Sequence, residues 1–375
     1  MIRVAFLQAS LPVGGAERLV ESLMRGFDAG RVTAAAVNLY APGPIGEALA
    51  TAGFEVRSGL AAHRFDPRAG GALARALAAL ESDVVYVADS AMPLFWAGWR
   101  RRRAKRPRLV VGFHSTGKRG DALQHAAAGA AAFPVADRFV ALAPRHREFL
   151  CGRFRIDPAR FVVIGNGVDL ARFRPGAGPA DRATMKRTLG LEAEERVVGI
   201  VAALRPEKNH ELFLRCAARL APRVPGTRFV IAGDGPERAR LEQQTRALGL
   251  GACVRFLGTV RDTPALYRAL DLTVLCSHPV VETFPMSLVE SLASGVPVVS
   301  TRVGAVEDIV IEGETGELVP PGDEPALAAA IERRLLDVRG LIHMGERARA
   351  DAERRFDRHT MLKGYERLFT EVARA

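Results

Sequence analysis

The stretch RVVGIVAALRPEKNHELFLRCAARLAPRVPGTRFVIAGDGP, residues 196–236, contains the repeating unit that decides the fold. It begins with an apolar run, Arg196–Ala202, and continues through a polar turn into an amphipathic segment, Asn209–Leu220. It ends in a second apolar run, Arg228–Ala232. Short apolar runs separated by a segment of helical period predict a strand–helix–strand unit. Units of this kind build a parallel sheet that is covered by helices on both faces.

The same alternation runs along the rest of the chain. Further strands are predicted at Arg3–Gln8, Thr33–Leu39, Val84–Ala88, Leu109–Phe113, Arg138–Ala141, Phe161–Ile164, Val254–Leu257, Leu272–Cys276 and Val298–Ser300. Further helices are predicted at Ala16–Phe27, Ala69–Leu80, Arg145–Arg153, Pro236–Leu248, Thr263–Leu270, Pro285–Ser294 and Glu324–Leu336. A Pro/Gly cluster, Arg174–Pro179, interrupts the pattern as domain linkers do. We therefore predict an α/β protein with two Rossmann-like, doubly wound domains, residues 1–174 and 175–356, that face each other across a cleft.

The composition is that of an ordinary globular protein. The 375 residues are 48% hydrophobic and 25% charged, which excludes a disordered or fibrous chain, and the net charge is +11. The four cysteines form no CxxC pair, so neither a disulfide scaffold nor a structural zinc site is expected. The apolar start is too short for a signal peptide, and no apolar run approaches the ~20 residues of a membrane span. We expect a cytoplasmic protein.

Ligands of parallel sheets bind beyond the carboxyl ends of the strands, and two glycine-rich clusters fall there. Gly14 and Gly15 follow the first strand and precede a helix, whose free amides favour an anion. The alternative is a plain strand-to-helix turn. Gly233 and Gly235 follow another strand and could admit a ligand close to the backbone, or serve only as turn residues.

Two clusters with charged residues also follow strands of the second domain. Arg205 and Lys208 suit a diphosphate, which arginine can bind as a fork and lysine as a point charge. A solvated basic turn is the alternative. Glu282 lies in a loop and Glu290 within the helix that follows Pro285. Ionised carboxylates accept hydrogen bonds only, so this pair suits a ligand with many hydroxyls, although two surface glutamates are the simpler alternative.

These clusters together resemble the retaining glycosyltransferases of family 4, which have the two-domain GT-B fold. The resemblance is carried by Gly14–Glu17, Asn166–Asp169, Arg205 with Lys208, Gly233–Gly235 and the pair Glu282 and Glu290, all in the family's order. It covers nearly the whole chain. It implies transfer of a sugar from a nucleoside-diphosphate sugar to a hydroxyl acceptor, in the synthesis of a glycolipid, polysaccharide or glycosylated metabolite. It also implies that the tail, about 357–375, returns to the first domain.

The resemblance assigns a role to each site residue. Arg205 and Lys208 would hold the donor diphosphate and stabilise it as it leaves, a role that needs no metal ion. Gly14 and Gly15 would meet the same phosphates, Glu290 the ribose, and Glu282 the transferred sugar. The remaining donor-binding residues that it implies are Gly233, Val260 beside the nucleobase, Thr283, Phe284 and Pro285. Thr283 departs from the family, which usually has glycine there, and this departure leaves the donor sugar open.

His114 follows a strand of the first domain, where family members direct a histidine toward the donor sugar. A structural histidine is the alternative. The run Phe95–Arg108 places both tryptophans beside seven cations, a pattern that suits an interfacial helix on anionic lipid. A core helix followed by a basic loop would give the same run. If the lipid interpretation holds, the acceptor is lipid-linked; small-molecule and glycan acceptors are equally compatible with the resemblance.

Two other functions are compatible with parts of the pattern. A sugar-nucleotide epimerase or hydrolase of the same fold would use the donor without an acceptor, but the pair Glu282 and Glu290 with Arg205 and Lys208 favours transfer. The net charge of +11 makes nucleic-acid binding the second alternative function. No zinc knuckle, helix-turn-helix signature or aromatic-interleaved basic motif supports that class, so we expect no nucleic-acid partner.

Overall fold

The computed structural model describes residues 1–64, 66–88, 90–114, 122–279 and 282–375, and for residues 122–126 it describes only the backbone. These residues divide into two compact units. The first unit comprises residues 1–166 and 359–375, and the second comprises residues 167–358.

The first unit contains a parallel sheet of seven strands in the order β3-β2-β1-β4-β5-β6-β7. Its strands are β1 (Ile2–Gln8), β2 (Val32–Asn38), β3 (Glu55–Arg57), β4 (Val84–Ala88), β5 (Arg108–Gly112), β6 (Arg138–Ala141) and β7 (Phe161–Val163). Its helices are α1 (Gly15–Gly26), α2 (Gly43–Thr51), α3 (Ala69–Ala79), α4 (Ala91–Arg103), α5 (Ala122–Ala132), α6 (Pro144–Phe154) and, after the second unit, α15 (Arg358–Arg374). All strand pairs are parallel, as strand–helix–strand units require.

The second unit contains six parallel strands in the order β10-β9-β8-β11-β12-β13. They are β8 (Arg196–Val201), β9 (Thr227–Ala232), β10 (Val254–Gly258), β11 (Leu272–Leu275), β12 (Val298–Thr301) and β13 (Gly316–Val319). The helices are α7 (Pro179–Thr188), α8 (His210–Leu220), α9 (Arg238–Ala247), α10 (Thr263–Ala269), α11 (Met286–Ala293), α12 (Val306–Ile309), α13 (Glu324–Leu336) and α14 (Val338–Arg355). The strand order reverses between β8 and β11, so a crevice for ligands is expected where these two strands end.

The predicted fold class, two doubly wound α/β sheets, is confirmed. Every predicted strand and helix overlaps an observed one, but the strands β3 and β13 were missed, because the charged residues of β3 and the Gly316 and Glu317 of β13 interrupt the apolar run by which a strand is recognised. The helices α2, α5, α7 and α12 were also missed. Helix α7 begins with Pro179 at its first position, where proline suits a helix, whereas the sequence pattern was interpreted as placing that proline in the linker.

The division between the units lies at 166/167, eight residues before the predicted 174/175. Val168 forms a β-bridge with Asp357, and its amide donates to the carbonyl of Phe356 at 2.8 Å. The Arg349 guanidinium donates to the carbonyls of Leu170 and Phe173. These contacts fasten the segment after residue 166 to the second unit. Its Pro/Gly composition marks a loop, but composition does not tell which unit a loop packs against.

The tail helix α15 completes the core of the first unit. Leu362, Tyr365 and Phe369 are buried among side chains of β1 and β4. The Phe369 ring meets Phe6 edge to face with centroids 6.2 Å apart, and it meets Tyr86 at 5.8 Å. Burial of these aromatic rings explains why the last residues of the chain belong with the first ones.

Candidate functional site

A buried ion pair lies where β8 and β11 end in the second unit. Lys208 closes a short 3-10 turn after β8, and its Nζ pairs with Oε1 of Glu282, which follows β11. Ser277 Oγ donates to the same carboxylate oxygen at 2.5 Å. Glu282 is only 5% exposed. The structure therefore brings Lys208 and Glu282 together at the reversal of strand order, as the resemblance implies, and adds Ser277, which sequence reasoning gave no role.

The loops that carry this pair are fixed by backbone contacts. The His278 amide donates to the carbonyl of Glu207 at 2.9 Å, which joins the loop after β11 to the turn after β8. The Thr301 hydroxyl donates to the carbonyl of Ser277 at 3.0 Å. Gly304, at φ +56°, passes so close to the carbonyl of Glu282 that a Cβ would lie under 3.0 Å from it. The pair is therefore held before any ligand arrives.

The residues after Glu282 form a buried turn into α11. Thr283 is 6% exposed, and its hydroxyl has no hydrogen-bond partner among the described residues. Phe284 is buried and meets the ring of Phe356 edge to face at 6.1 Å. Pro285 is the N-cap of α11. Residues 280 and 281 of the same predicted cluster lie outside the described residues.

Glu290 lies on the second turn of α11 beside Tyr267 of α10. Burial raises the pKa of the Glu290 carboxyl to about 7, while the hydrogen bond with Tyr267 and the charge of Arg172 oppose the rise. Tyr267 is fully buried, and its hydroxyl donates to the carbonyl of Ser287 at 2.9 Å. The Glu290 carboxyl group therefore loses its proton near neutral pH, and Tyr267 is a neighbour that no sequence pattern indicated.

Arg205 and Lys208 have different charged neighbours, although only two residues separate them. The Arg205 side chain is 58% exposed, and the Glu207 carboxylate lies 4.0 Å from it. Arg205 lines a cavity with His210 and His278, and neither Lys208 nor Glu282 is among the described residues of that cavity. That both cations bind one diphosphate stays a prediction; in the described residues Lys208 pairs with Glu282, whereas Arg205 has Glu207 as its charged neighbour.

Gly233 and Gly235, which follow β9, lie very close to the backbone of a neighbouring loop. A Cβ on Gly233 would lie under 3.0 Å from the carbonyl of Ala202, and one on Gly235 would lie equally close to the carbonyl of Leu204. The Leu204 amide donates to the carbonyl of Asp234 at 3.0 Å. These glycines therefore let the loop after β9 pack against the loop after β8, which supports the turn interpretation of this cluster.

Three further predicted residues have simpler surroundings. Val260 is half-buried in the turn after β10. Gly14 is the N-cap of α1 with extended backbone, and a Cβ there would meet only the end of the flexible Glu17 side chain. A Cβ on Gly15 would have no atom within 4 Å among the described residues. The start of α1 is therefore open at Gly15, as a helix N-terminus that binds an anion would be.

His114 belongs to a buried network in the first unit. Its Nε2 lies 2.7 Å from the hydroxyl of Tyr86, which lies 3.3 Å from the hydroxyl of Tyr365 on α15. Gly112 makes room for this pair, because a Cβ there would collide with both side chains. Burial, with a smaller effect of His146, lowers the pKa of His114 to about 3, so the imidazole is neutral at pH 7. Nothing in the sequence signals the two tyrosines, which lie 279 residues apart.

The basic run is largely engaged within the first unit. Arg101 and Arg108 both pair with Asp137, at 2.9 and 2.8 Å. Arg102 donates to backbone carbonyls of α5, and the guanidinium of Arg103 lies 3.8 Å from the centroid of the Trp99 ring. These contacts match a core helix followed by a basic turn, the second of the two interpretations of this run.

Two negative findings concern the described residues only. None of their helices combines the length and the apolar character needed to span a bilayer. They also contain no group of three or more His, Cys, Asp or Glu side chains placed to hold a metal ion.

Comparisons with known proteins agree in both halves of the chain. The family model "Glycosyltransferase Family 4" matches residues 13–172, and "Glycosyl transferases group 1" matches residues 181–351. A protein named D-inositol 3-phosphate glycosyltransferase from Salinispora arenicola is 38% identical over 219 residues, 55% of this chain and 48% of its own. A protein of the same name from Mycobacterium tuberculosis is 38% identical over 187 residues, 48% of this chain and 37% of its own. The chain thus spans about half the length, or less, of the curated relatives it matches.

Solved structures match over almost the whole chain. Anabaena HepE, crystallised in complex with UDP, has a TM-score of 0.86 and 25% identity, with 99% of this chain and 100% of that chain covered. Sucrose-phosphate synthase from Thermosynechococcus elongatus shares the fold, with a TM-score of 0.79 and 21% identity over 99% of both chains. The two family models match consecutive parts of the chain, and the HepE structure matches nearly all of it. This chain therefore belongs to glycosyltransferase family 4 and has the GT-B fold.

Proposed function

We propose that this chain is a retaining glycosyltransferase, which moves a sugar from a nucleoside-diphosphate sugar to a hydroxyl acceptor. The observation that carries the proposal is the buried pair of Lys208 and Glu282 where the strand order of the second unit reverses. A nucleotide sugar needs a cation for its diphosphate and an acceptor group for its sugar hydroxyls, and this pair supplies both. We assign donor binding to the second unit and acceptor binding to the first.

Lys208 would stabilise the leaving diphosphate. Charge develops on the departing oxygen as the glycosidic bond breaks, and an ammonium held in place by a buried carboxylate needs no rearrangement to meet it. Glu282, with Ser277, would bind hydroxyls of the transferred sugar. Arg205 has the same role as Lys208 by resemblance, but it lines a cavity whose described residues do not include Lys208, so the two cations are tested separately. This chemistry requires no metal ion, and activity is expected to persist in EDTA.

Glu290 would accept hydrogen bonds from the ribose hydroxyls. Because the pKa of its carboxyl is raised to about 7, it is a full acceptor only above neutral pH. The roles of Gly14, Gly15, Gly233, Val260, Thr283, Phe284 and Pro285 in donor binding rest on the resemblance. So does the role of His114, whose neutral imidazole would hydrogen-bond to a sugar hydroxyl and would not neutralise phosphate charge.

The relatives suggest where to begin the search for substrates. UDP is bound to the HepE structure, and the named relatives act on D-inositol 3-phosphate, so UDP-sugars and phosphorylated polyols are the first donor and acceptor to test. Glycan and lipid-linked acceptors follow. A cytoplasmic location and a contact between Phe95–Arg108 and anionic lipid also stay predictions, and sedimentation with anionic vesicles at low salt tests the lipid contact. We expect no nucleic-acid partner.

The decisive experiment incubates the purified chain with labelled nucleotide sugars and a panel of hydroxyl acceptors. The expected result is a glycosylated acceptor with the anomeric configuration of the donor, and no such product with Lys208→Met. Free sugar or a rearranged nucleotide sugar, formed equally well without acceptor, would identify a hydrolase or an epimerase. Absence of every product with all donors that bind would refute the proposal.

A further inference from the structure

The carboxyl of Glu290, to which we assign the ribose hydroxyls, interacts with two side chains from outside its own helix. Tyr267 of α10 forms a hydrogen bond with it, and Arg172 of the segment 167–174 acts on it through its charge. The proposed transfer reaction gives neither residue a role. Because both interact with a donor-binding group, each is a candidate for holding that group in place.

Tyr267 is fixed in position by packing. It is fully buried, and its ring meets that of Phe173 with centroids 6.1 Å apart. Its hydroxyl donates at 2.9 Å to the carbonyl of Ser287, three residues before Glu290 on the first turn of α11. Residues three apart on a helix lie on one face, so one hydroxyl can meet both the carbonyl and the carboxyl. The buried ring therefore holds its hydroxyl at this face of α11.

The Tyr267 hydroxyl has one proton and two possible acceptors. A protonated Glu290 carboxyl can donate to the phenol oxygen while the phenol proton points to the Ser287 carbonyl, which only accepts. An ionised Glu290 only accepts, and it is a stronger acceptor than the carbonyl, so the phenol proton then turns to it. Burial and the charge of Glu290 raise the pKa of Tyr267 well above its usual range, so the hydroxyl keeps its proton in both states.

Arg172 is presented by a tight turn in the segment 167–174. The Asp169 carboxylate accepts from the Arg172 amide at 3.2 Å, and the Phe173 amide donates to the Asp169 carbonyl at 2.8 Å. The turn thus places the ring of Phe173 against Tyr267 and the cation of Arg172 near the Glu290 carboxyl. A nearby positive charge favours the ionised form of a carboxyl group.

Other charged groups on the two helices that pack against α11 have partners of their own. The pairs are Arg268 of α10 with Asp181, and, on α14, Arg349 with Glu353 and Asp351 with Arg355. The Arg349 guanidinium also donates to the carbonyls of Phe173 and Ala293, each at 2.7 Å. Ala293 is the last residue of α11, so this arginine fastens the helix to the turn that carries Arg172.

We propose that Tyr267 is a positioning residue for the nucleotide-sugar donor: its hydroxyl aims the ionised Glu290 carboxylate at the ribose hydroxyls, with Arg172 as the counter-charge. Tyr267 acts through Glu290 and does not touch the donor, because its own hydroxyl is buried against α11. The inference rests on the proposed role of Glu290 in donor binding and adds the residues that make that role possible.

The test titrates a nucleoside diphosphate into the full chain by calorimetry between about pH 6 and pH 9, with whichever of UDP, GDP and ADP binds most tightly. The variants are Tyr267→Phe and Arg172→Gln. Tyr40→Phe, which removes a half-buried phenol from the first unit, and Arg174→Gln, which removes an exposed cation from the same segment, are the matched controls. Ionisation of Glu290 is followed separately, without nucleotide, by carbon NMR of labelled glutamate carboxyl groups. The resonance that is missing from Glu290→Gln identifies it.

We expect the ionisation midpoint of Glu290 to rise by about one pH unit in Tyr267→Phe, because the carboxylate loses a hydrogen-bond donor. Nucleotide affinity should then be roughly fivefold weaker than in the unaltered chain at pH 7, and less than about twofold weaker at pH 9, where the carboxyl is ionised in both. Arg172→Gln should act in the same direction, by about twofold at pH 7, since water screens the exposed cation. Both controls should match the unaltered chain at every pH.

A merely structural role of Tyr267 would weaken binding equally at every pH, and that result would overturn the proposal. So would an unchanged ionisation of Glu290 in Tyr267→Phe. If Tyr267→Phe does not fold, Arg172→Gln decides, and behaviour equal to that of Arg174→Gln would contradict the proposal. Absence of nucleotide binding, or equal binding by Glu290→Gln and the unaltered chain, would refute the assigned role of Glu290 and this inference with it. A loss in Glu290→Gln without one in Tyr267→Phe would refute the inference alone.

Discussion

Replacement of Lys208 by Met tests how much the ion pair with Glu282 contributes to the free energy of unfolding, independently of its role in sugar transfer. The change leaves the Glu282 carboxylate, 5% exposed, with Ser277 Oγ as its remaining partner in the pair's cluster. Breaking a buried ion pair typically costs about 3–5 kcal/mol. Since the Lys208 side chain is 22% exposed and water reaches it, we expect a smaller loss, about 2–4 kcal/mol in the free energy of unfolding. For a unit of this size, that corresponds to a decrease of roughly 5–15 °C in Tm.

A second substitution separates stability from function. In Lys208→Met with Glu282→Gln, no charge is left unpaired, and the amide oxygen can still accept from Ser277. We expect the double variant to regain most of the lost Tm. Transfer activity should stay absent in both variants, because the leaving diphosphate has lost its cation. Calorimetry of the two single variants and the double variant gives the coupling free energy directly. Lys363→Met, at an exposed position of α15, is the control for loss of a lysine.

Two results would refute this reasoning. If Lys208→Met unfolds at the same temperature as the Lys363→Met control, the pair contributes nothing and the described geometry of the site is wrong. If the double variant regains sugar transfer along with its Tm, the role of Lys208 in stabilising the leaving group is wrong, even though the ion pair exists.

Three further predictions rest on individual contacts. The pKa of Glu290 is raised in the folded chain, so the native state binds more protons than the unfolded state between about pH 4.5 and 7. The contribution of Glu290 to the free energy of unfolding therefore falls as pH rises through that window. Unfolding curves of Glu290→Gln should lack this fall, and its affinity for UDP should show no gain above about pH 7. Tyr365→Phe should lower kcat several-fold and leave KM and Tm nearly unchanged, because the hydroxyl orients His114 through the intervening tyrosine; an unchanged kcat would contradict this role. Gly233→Ala should cost more stability than Gly226→Ala, since both have positive φ but only the first would bring a Cβ under 3.0 Å from backbone; equal losses of Tm would contradict it.

Local patterns were enough to predict the fold class and to place Lys208 and Glu282 after strands of the second sheet. Runs such as Arg196–Ala202 show strand character in their own residues, and proximity of Lys208 and Glu282 follows once both are placed after neighbouring strands. The different surroundings of Arg205 and Lys208 did not follow. Lys208 pairs with Glu282, whereas Arg205 has Glu207 as its charged neighbour and lines a cavity whose described residues do not include Lys208. Contacts between loops that are distant in sequence decide which neighbour a side chain on a turn meets.

The sequence by itself determined the alternation of strands and helices, the polar residues at the strand ends and the family, because each is encoded in residues close together in the chain. The tertiary structure alone decided the partners of buried groups. It brought Tyr365 of the tail to Tyr86, placed His210 without a partner beside a cavity and fastened residues 167–174 to the second unit. These contacts depend on which surfaces, distant in sequence, pack against each other. Because hydrophobic burial is non-directional, the spacing of residues within a short segment does not predict them.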